Sequence, residues 1–258
     1  MVKAVFFDID GTLVSFRTHR VPASAIQALN ALRSRGILTF IASGRHFLSI
    51  NNLGTLQFDG YITLNGGYCL DGNRQTIYKR SILPEDIQSV VKYMETDGSF
   101  PCIFVHEQAL YLNYGNEKTR EVFEMLNFPQ PPVKSLQEAA SGEIFQLVAF
   151  FPPEKEKEIM QQMPHCEATR WNPLFSDVIP AGSSKQVGMD KILEHYGIRP
   201  EETMAFGDGG NDIAMLRHAH IGIAMGNARD SVRQAADYVT SSVDEDGISR
   251  ALRHFGLL

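Results

Sequence analysis

A near-continuous apolar run, Val2 to Phe7, ends abruptly in Asp8-Ile9-Asp10-Gly11-Thr12, and few architectures accept such a junction. A run with no polar alternation reads as a strand buried on both faces, the kind found in parallel sheets covered by helices. The acidic, glycine-containing stretch after it reads as a loop. Further along, Ser24 to Arg35 sets Ile26, Leu29 and Leu32 at helical spacing, Gly36 stops the helix, and Ile37 to Ala42 forms a second buried strand. Strand, helix and strand in succession predict a parallel pair. The alternation resumes towards the C-terminus with a helix over Gln186 to Tyr196, a strand at Met204 to Phe206, a helix over Ile213 to His218, a strand at Ile221 to Ala224 and a helix over Ser231 to Ala236. A single α/β unit, a doubly wound parallel sheet of Rossmann-like form, accounts for all of these.

The middle of the chain follows a different rule. Pro84 to Met94 reads as a helix, Cys102 to Val105 and Ala109 to Leu112 as paired strands, and Glu117 to Leu126 as a helix. Beyond Pro129-Gln130-Pro131-Pro132 come a strand at Phe145 to Phe151, a helix at Glu154 to Met163, and strands at Cys166 to Trp171 and Leu174 to Ile179. This is an inserted α+β unit, placed at 80–182, which leaves a discontinuous core of 1–79 plus 183–258.

Composition narrows the function classes. With 258 residues, 43% hydrophobic and 21% charged, the chain is long enough for two modest globular units. A net charge of -6 without a basic run argues against a nucleic acid or an anionic membrane as partner, and favours a small molecule. Cys69, Cys102 and Cys166 form no CxxC pair and fit reduced thiols. No stretch offers the ~20 apolar residues of a membrane span, so the expected location is the cytoplasm.

Three core strands end in chemically capable residues: Asp8 and Asp10, then Ser43-Gly44-Arg45, then Asp208 to Asp212. In open parallel sheets, ligands sit beyond the carboxyl ends of the strands, so these segments are expected to converge. Four carboxylates in one pocket repel. At ~4 Å and an effective dielectric near 20, each pair costs on the order of 4 kcal/mol, and a hard, oxygen-liganded Mg²⁺ would relieve it.

These segments, Phe6 to Thr12, Ser43, Lys185 and Gly207-Asp208-Gly209-Gly210-Asn211-Asp212, resemble in order the four motifs of the haloacid dehalogenase superfamily of phosphotransferases. The stretch between Asp10 and Ser43 is too short for an inserted domain, whereas that between Ser43 and Lys185 has room for one. The resemblance therefore implies a cap in the second position, of the C2B-like type. The order of elements in the insert, with Asn65-Gly66 before it, is similar to the Cof-type branch, which includes bacterial hexose-phosphate phosphatases.

The resemblance implies a Mg²⁺-dependent phosphatase acting on small phosphate esters. Asp8 would be the nucleophile that carries the phosphoryl group, and Asp10 the acid and base. Asp8, Asp208 and the carbonyl of Asp10 would hold the metal, with Asp212 behind them orienting a water or Lys185, or else capping a helix. Ser43, Gly44, Lys185 and Asn211 would bind phosphoryl oxygens. Arg45 meets substrate or cap, or simply forms an ion pair at the helix start. Arg170, Trp171 and Asp177 of the insert are the expected substrate contacts. Two other readings share the core: a sugar phosphomutase, and a regulatory phospho-acceptor or binding module.

Overall fold

The computed structural model describes residues 1–258, the side chain of Trp171 excepted. In chain order the elements are β1 (Ala4–Phe7), α1 (Ala23–Ser34), β2 (Leu38–Ala42), β3 (Gly60–Thr63), β4 (Tyr68–Asp71) and β5 (Thr76–Lys79). Then follow α2 (Pro84–Thr96), β6 (Cys102–Val105), β7 (Leu110–Leu112), α3 (Glu117–Met125), α4 (Leu136–Ala139), β8 (Gln146–Ala149), α5 (Glu156–Met160), β9 (Cys166–Asn172) and β10 (Phe175–Pro180). The chain closes with α6 (Lys185–Tyr196), β11 (Thr203–Gly207), α7 (Ile213–His218), β12 (Ile221–Ala224), α8 (Asp230–Arg233), β13 (Tyr238–Val239) and α9 (Gly247–His254). These divide into two compact units, Met1–Tyr78 with Ser184–Leu258, and Lys79–Ser183.

The larger unit is built on a sheet of order β13-β12-β11-β1-β2-β3-β4-β5, with β1 paired in parallel to both β11 and β2. All four residues of β1 are fully buried, as its lack of polar alternation requires. Alternation of side chains then sorts the core into two layers. Val5, Phe7, Ile41, Met204, Phe206 and Ile223 pack on one face with residues of α1 and α9. Ala4, Phe6, Phe40, Ala42, Ala205 and Ala224 pack on the other with residues of α6 and α7. Stacked rings bridge neighbouring strands, Phe6 on Phe40 at 4.9 Å and Phe7 on Phe206 at 5.1 Å between centroids. Burying a side chain of this size contributes about 1.5–3 kcal/mol, so β1 anchors the sheet and fixes where its last residue, and hence Asp8, emerges.

The sheet departs from the all-parallel expectation at one edge. β4 runs antiparallel to β3, and β5 lies beyond it. The turn between β4 and β5 is set by Asp71, whose Oδ1 accepts the N–H groups of Asn73 and Gln75. These strands escape sequence reading because each is four residues long and interrupted by glycine or polar residues.

The smaller unit holds a sheet of order β7-β6-β8-β10-β9, antiparallel at β6–β7, β6–β8, β8–β10 and β9–β10. Phe104, Leu147 and Val178 share one face and pack against Ile87, Val90 and Met94 of α2 and Ile159 of α5. Buried Asp86 in the first turn of α2 accepts the His165 N–H and faces its ring Nδ1, both at 3.1 Å, which ties the helix to the start of β9. The helix expected over Glu154 to Met163 is shorter: Pro153 opens a 3-10 turn, Pro153–Lys155, and only Glu156–Met160 is α-helical. The strand expected over Phe145 to Phe151 narrows to β8, because Phe150 N–H turns to the Pro101 carbonyl and two prolines follow. Among the described residues no helix is long and apolar enough to cross a membrane.

Candidate active site

Asp8 directly follows β1, and its backbone N–H still bonds Phe206 of β11, so the sheet itself sets its position. From there the loop turns tightly on Gly11, at φ +89°. A Cβ at this position would lie 2.2 Å from Asp208 Oδ2, so both the backbone conformation and the space demand glycine. Thr12 Oγ1 donates to Asp208 Oδ1 at 3.1 Å.

Lys185 is the first residue of α6, whose N-cap Ser184 accepts the Val187 N–H. Its side chain is wholly buried, and Nζ donates to Asp8 Oδ1 and to Asp212 Oδ1, each at 2.6 Å. Asp212 does not cap α7. Its Oδ2 instead accepts the N–H groups of Asp208 at 3.0 Å and Gly209 at 2.8 Å, closing the loop after β11 on itself. Asp212 was expected behind the metal ligands, yet an oxygen from each of Asp8, Asp208 and Asp212 falls within 4.8 Å of the others.

The carboxylate of Asp10 lies outside that cluster. Arg45 Nε donates to Asp10 Oδ2 at 2.6 Å and Nη2 to Oδ1 at 2.7 Å, a two-pronged pair, while Nη1 reaches the Ser49 carbonyl at 3.0 Å. Arg45 does form an ion pair, but with Asp10 of the loop after β1 rather than at a helix start. Ser43 is buried at the end of β2, where its Oγ accepts the Arg45 N–H at 3.1 Å. Gly44 lies against Asn65, whose amide atoms would be 3.1 Å from a Cβ there. Asn65 Oδ1 accepts from Asn211 Nδ2 at 2.9 Å. Asn65 and Gly66 both take positive φ, and a Cβ on Gly66 would be 1.9 Å from the Ser184 carbonyl. The Asn65-Gly66 pair thus docks its loop against the start of α6, a role that an Asn-Gly dipeptide at a strand end signals.

Electrostatics follow from burial and crowding. Burial pushes the Asp8 carboxyl well above the usual range, Lys185 opposes this, and Asp212, Asp208 and Asp10 add to it. Burial, then Asp212, pushes Asp208 up to about 7. For Lys185, burial works against the charge, but Asp212 and Asp8 outweigh it and its pKa is raised. Four carboxylates are thus set against two cations, Lys185 and Arg45. The deficit is two positive charges, and the donors are hard oxygens, so the cluster suits a divalent cation such as Mg²⁺.

In the smaller unit, Arg170 and Asp177 lie on opposite faces of the sheet. Arg170 gives Nε and Nη2 to Glu156 Oε2 at 3.1 and 3.0 Å, and its other bonds go to the carbonyls of Phe151 and Pro173. Its guanidinium is engaged beside α5, and a substrate contact by Arg170 would have to replace these bonds. Asp177 is buried, and its Oδ1 accepts from Gln146 Nε2 at 3.0 Å. The side chain of Trp171, the third expected contact, lies outside the described residues.

Over residues 5–252 the chain matches the family described as haloacid dehalogenase-like hydrolase. It is 35% identical to YkrA of Bacillus subtilis (strain 168), provisionally named a phosphatase, over 99% of this chain and 98% of that one. It is 26% identical to the 5-amino-6-(5-phospho-D-ribitylamino)uracil phosphatase YcsE of the same organism, over 99% and 96% of the two chains. Among solved structures, the sugar phosphatase BT4131 of haloacid dehalogenase subclass IIB superposes with a TM-score of 0.93 at 50% identity, covering all of both chains. The chain belongs to the haloacid dehalogenase-like hydrolases, and within them it is a phosphatase, a phosphoric monoester hydrolase.

Proposed function

We propose that the protein is a Mg²⁺-dependent phosphatase that hydrolyses sugar phosphates through an aspartyl-phosphate on Asp8. The observation that carries this reading is the contact set around Asp8: a nucleophile fixed by Lys185, beside Asp208 and Asp212, with Asp10 two residues on. An oxygen of Asp8 attacks phosphorus in line, the new O–P bond forms, and the ester P–O bond breaks. Asp10 gives its proton to the departing sugar oxygen, then takes one from the water that cleaves the Asp8–phosphorus bond. In the resting arrangement Arg45 holds both oxygens of Asp10, so Asp10 leaves the guanidinium in order to act. Lys185, Asn211, the Ser43 hydroxyl and the Gly44 N–H neutralise or bind the phosphoryl oxygens.

Asp8, Asp208 and the Asp10 carbonyl would hold Mg²⁺, and Asp212 would fix Lys185 and the loop amides. When bound, the ion supplies the positive charge that lets Asp8 stay ionised and offsets charge on the phosphoryl group. Burial otherwise pushes the Asp8 carboxyl up, towards the protonated form that cannot attack.

The sugar half is assigned to the smaller unit. Asp177 and Gln146 make a polar pair on a sheet face that also carries Ile103, Val105, Thr169 and Ile179, and buried oxygens of this kind accept hydroxyl protons. The sugar phosphatase BT4131, similar over its whole length, supports the same substrate class. A reduced cytoplasmic setting fits the three free cysteines.

The test is phosphate release from sugar phosphates, nucleotides and p-nitrophenyl phosphate, with and without Mg²⁺, in wild type and Asp8→Asn. Release that needs Mg²⁺ and disappears in Asp8→Asn is the expected result. Undiminished turnover by Asp8→Asn would overturn the assignment of the nucleophile, and a preference for nucleotides the assignment of the sugar.

A further inference from the structure

Asn227 follows β12 in the loop Met225-Gly226-Asn227, and its side chain is mostly exposed. Its amide nevertheless has three partners. Nδ2 donates to the Gly11 carbonyl at 2.9 Å and to Asp208 Oδ2 at 3.1 Å, and Oδ1 accepts the Val243 N–H at 3.0 Å. The orientation is dictated by chemistry, because the reversed amide would face two oxygens with a third and present its N–H₂ to an N–H. Behind it the loop is seated closely: Gly226 N–H bonds the Ser241 carbonyl, and a Cβ on Gly226 would come within 2.6 Å of Ser242 N. Asn227 therefore grips from a fixed base.

Asp208 is held at both oxygens, Oδ1 by Thr12 and Oδ2 by Asn227, and the same amide ties it to the backbone between Asp10 and Thr12. Without such a grip, repulsion from Asp212 and Asp10 would turn the carboxylate outward, and the order lost would have to be restored when a cation binds. We propose that Asn227 is a positioning residue for the metal site, which with Thr12 clamps Asp208 against the Asp8 loop and sets the spacing of the carboxylate oxygens in advance. The inference rests on the reading of this cluster as the Mg²⁺ site.

The test is calorimetric titration of the full chain with Mg²⁺ alone, on Asn227→Ala, Thr12→Val and Thr12→Ser, each checked for folding by thermal unfolding in EDTA. Mg²⁺ should bind roughly 10- to 100-fold more weakly to Asn227→Ala and Thr12→Val, the range for partners that orient metal ligands, while Thr12→Ser keeps most of the affinity. In turnover, the Mg²⁺ concentration for half-activation should rise by the same factor, with the KM for the ester at saturating Mg²⁺ unchanged. A folded Asn227→Ala with wild-type Mg²⁺ affinity would overturn the clamp, as would a loss of kcat that excess Mg²⁺ does not restore at unchanged affinity. Should Asn227→Ala not fold, the contrast between valine and serine at position 12 decides the same question from the other oxygen. Absence of Mg²⁺ binding by the wild type would remove the metal reading itself, an outcome distinct from failure of the clamp.

Discussion

Replacing Lys185 by methionine removes a charge of nearly the same length and leaves the hydrocarbon stem in place. The wild-type ammonium is wholly buried and bonds Asp8 and Asp212 at 2.6 Å each. Without it, two buried carboxylates face one another with Asp208 beside them and no cation in the cluster. Breaking a buried pair in this way costs about 3–5 kcal/mol, because the orphaned charge has lost its water as well as its partner. At about 2–4 °C per kcal/mol for a domain of this size, the metal-free unit should melt roughly 10 °C earlier. The cost depends on pH in a definite sense. In the folded protein burial raises the Asp8 and Asp208 carboxyls above the value at which the unfolded chain releases its protons, Asp208 to about 7, and loss of Lys185 raises both further. Between the unfolded and folded values the native state binds more protons, so stability falls as pH rises through that window. Thermal unfolding in EDTA at pH 5 and pH 8 should therefore show a small loss at the lower pH and the full loss at the higher. Adding Asp212→Asn to Lys185→Met should recover much of it, since asparagine can still accept the Asp208 and Gly209 N–H groups through its oxygen. A penalty under about 1 kcal/mol at pH 8, or a double variant no more stable than the single one, would refute the charge argument.

Asp10→Asn should leave Mg²⁺ binding intact, since its carboxylate lies with Arg45 outside the cluster, while slowing phosphate release by roughly 10²-fold or more. Calorimetry alongside steady-state assays checks both halves. Arg45→Lys loses the planar fork that holds Asp10 at both oxygens, and since Asp10 leaves that fork in order to act, kcat should be kept or raised at unchanged Mg²⁺ affinity. Mg²⁺ binding should release protons below neutrality, because Asp208 is held up to about 7 in the metal-free protein. Apparent affinity should then drop as pH falls from 7.5 to 5.5, and titration in two buffers of different ionisation enthalpy counts the protons.

The core was legible because its signals are local and strong. Ala4 to Phe7 has no polar residue to place outside, and Gly36 stops α1 at φ +71°, where sequence reading had put the break. The candidate site was legible as a set of strand ends, in Asp8, Ser43 and Asp208, but not as a set of contacts. Nothing in the motif around Arg45 says that its guanidinium lies along Asp10, because that pairing depends on how two loops from different strands approach. Asn227 was missed for a related reason: it follows β12, a further strand end, and no charge marks it. A search of every core strand's carboxyl end for amides as well as acids would have found it.

The smaller unit shows where periodicity misleads. Arg170 flanks a strand, but side chains alternate, and position decides which face a residue serves. Thr169 pairs with Asp177 across β9 and β10, so the two share a face, whereas Arg170 lies at the irregularity that follows, before Asn172 pairs with Phe175, and turns towards α5. There Glu156 of α5 supplies a partner and the carbonyls of Phe151 and Pro173 complete the set, which makes Arg170 a brace between sheet and helix. Asp177 meets the opposite fate. It is buried on a face shared with Val148 and Thr169, its partners across the neighbouring strands, and a buried acidic side chain costs stability unless something repays it. Gln146 offers one hydrogen bond through Nε2, and its own Oε1 is among the few described buried polar atoms left without a partner. A sheet face that leaves the buried Gln146 Oε1 without a partner is poorly optimised for stability alone, which is why specificity is sought at Gln146 and the Asp177 beside it.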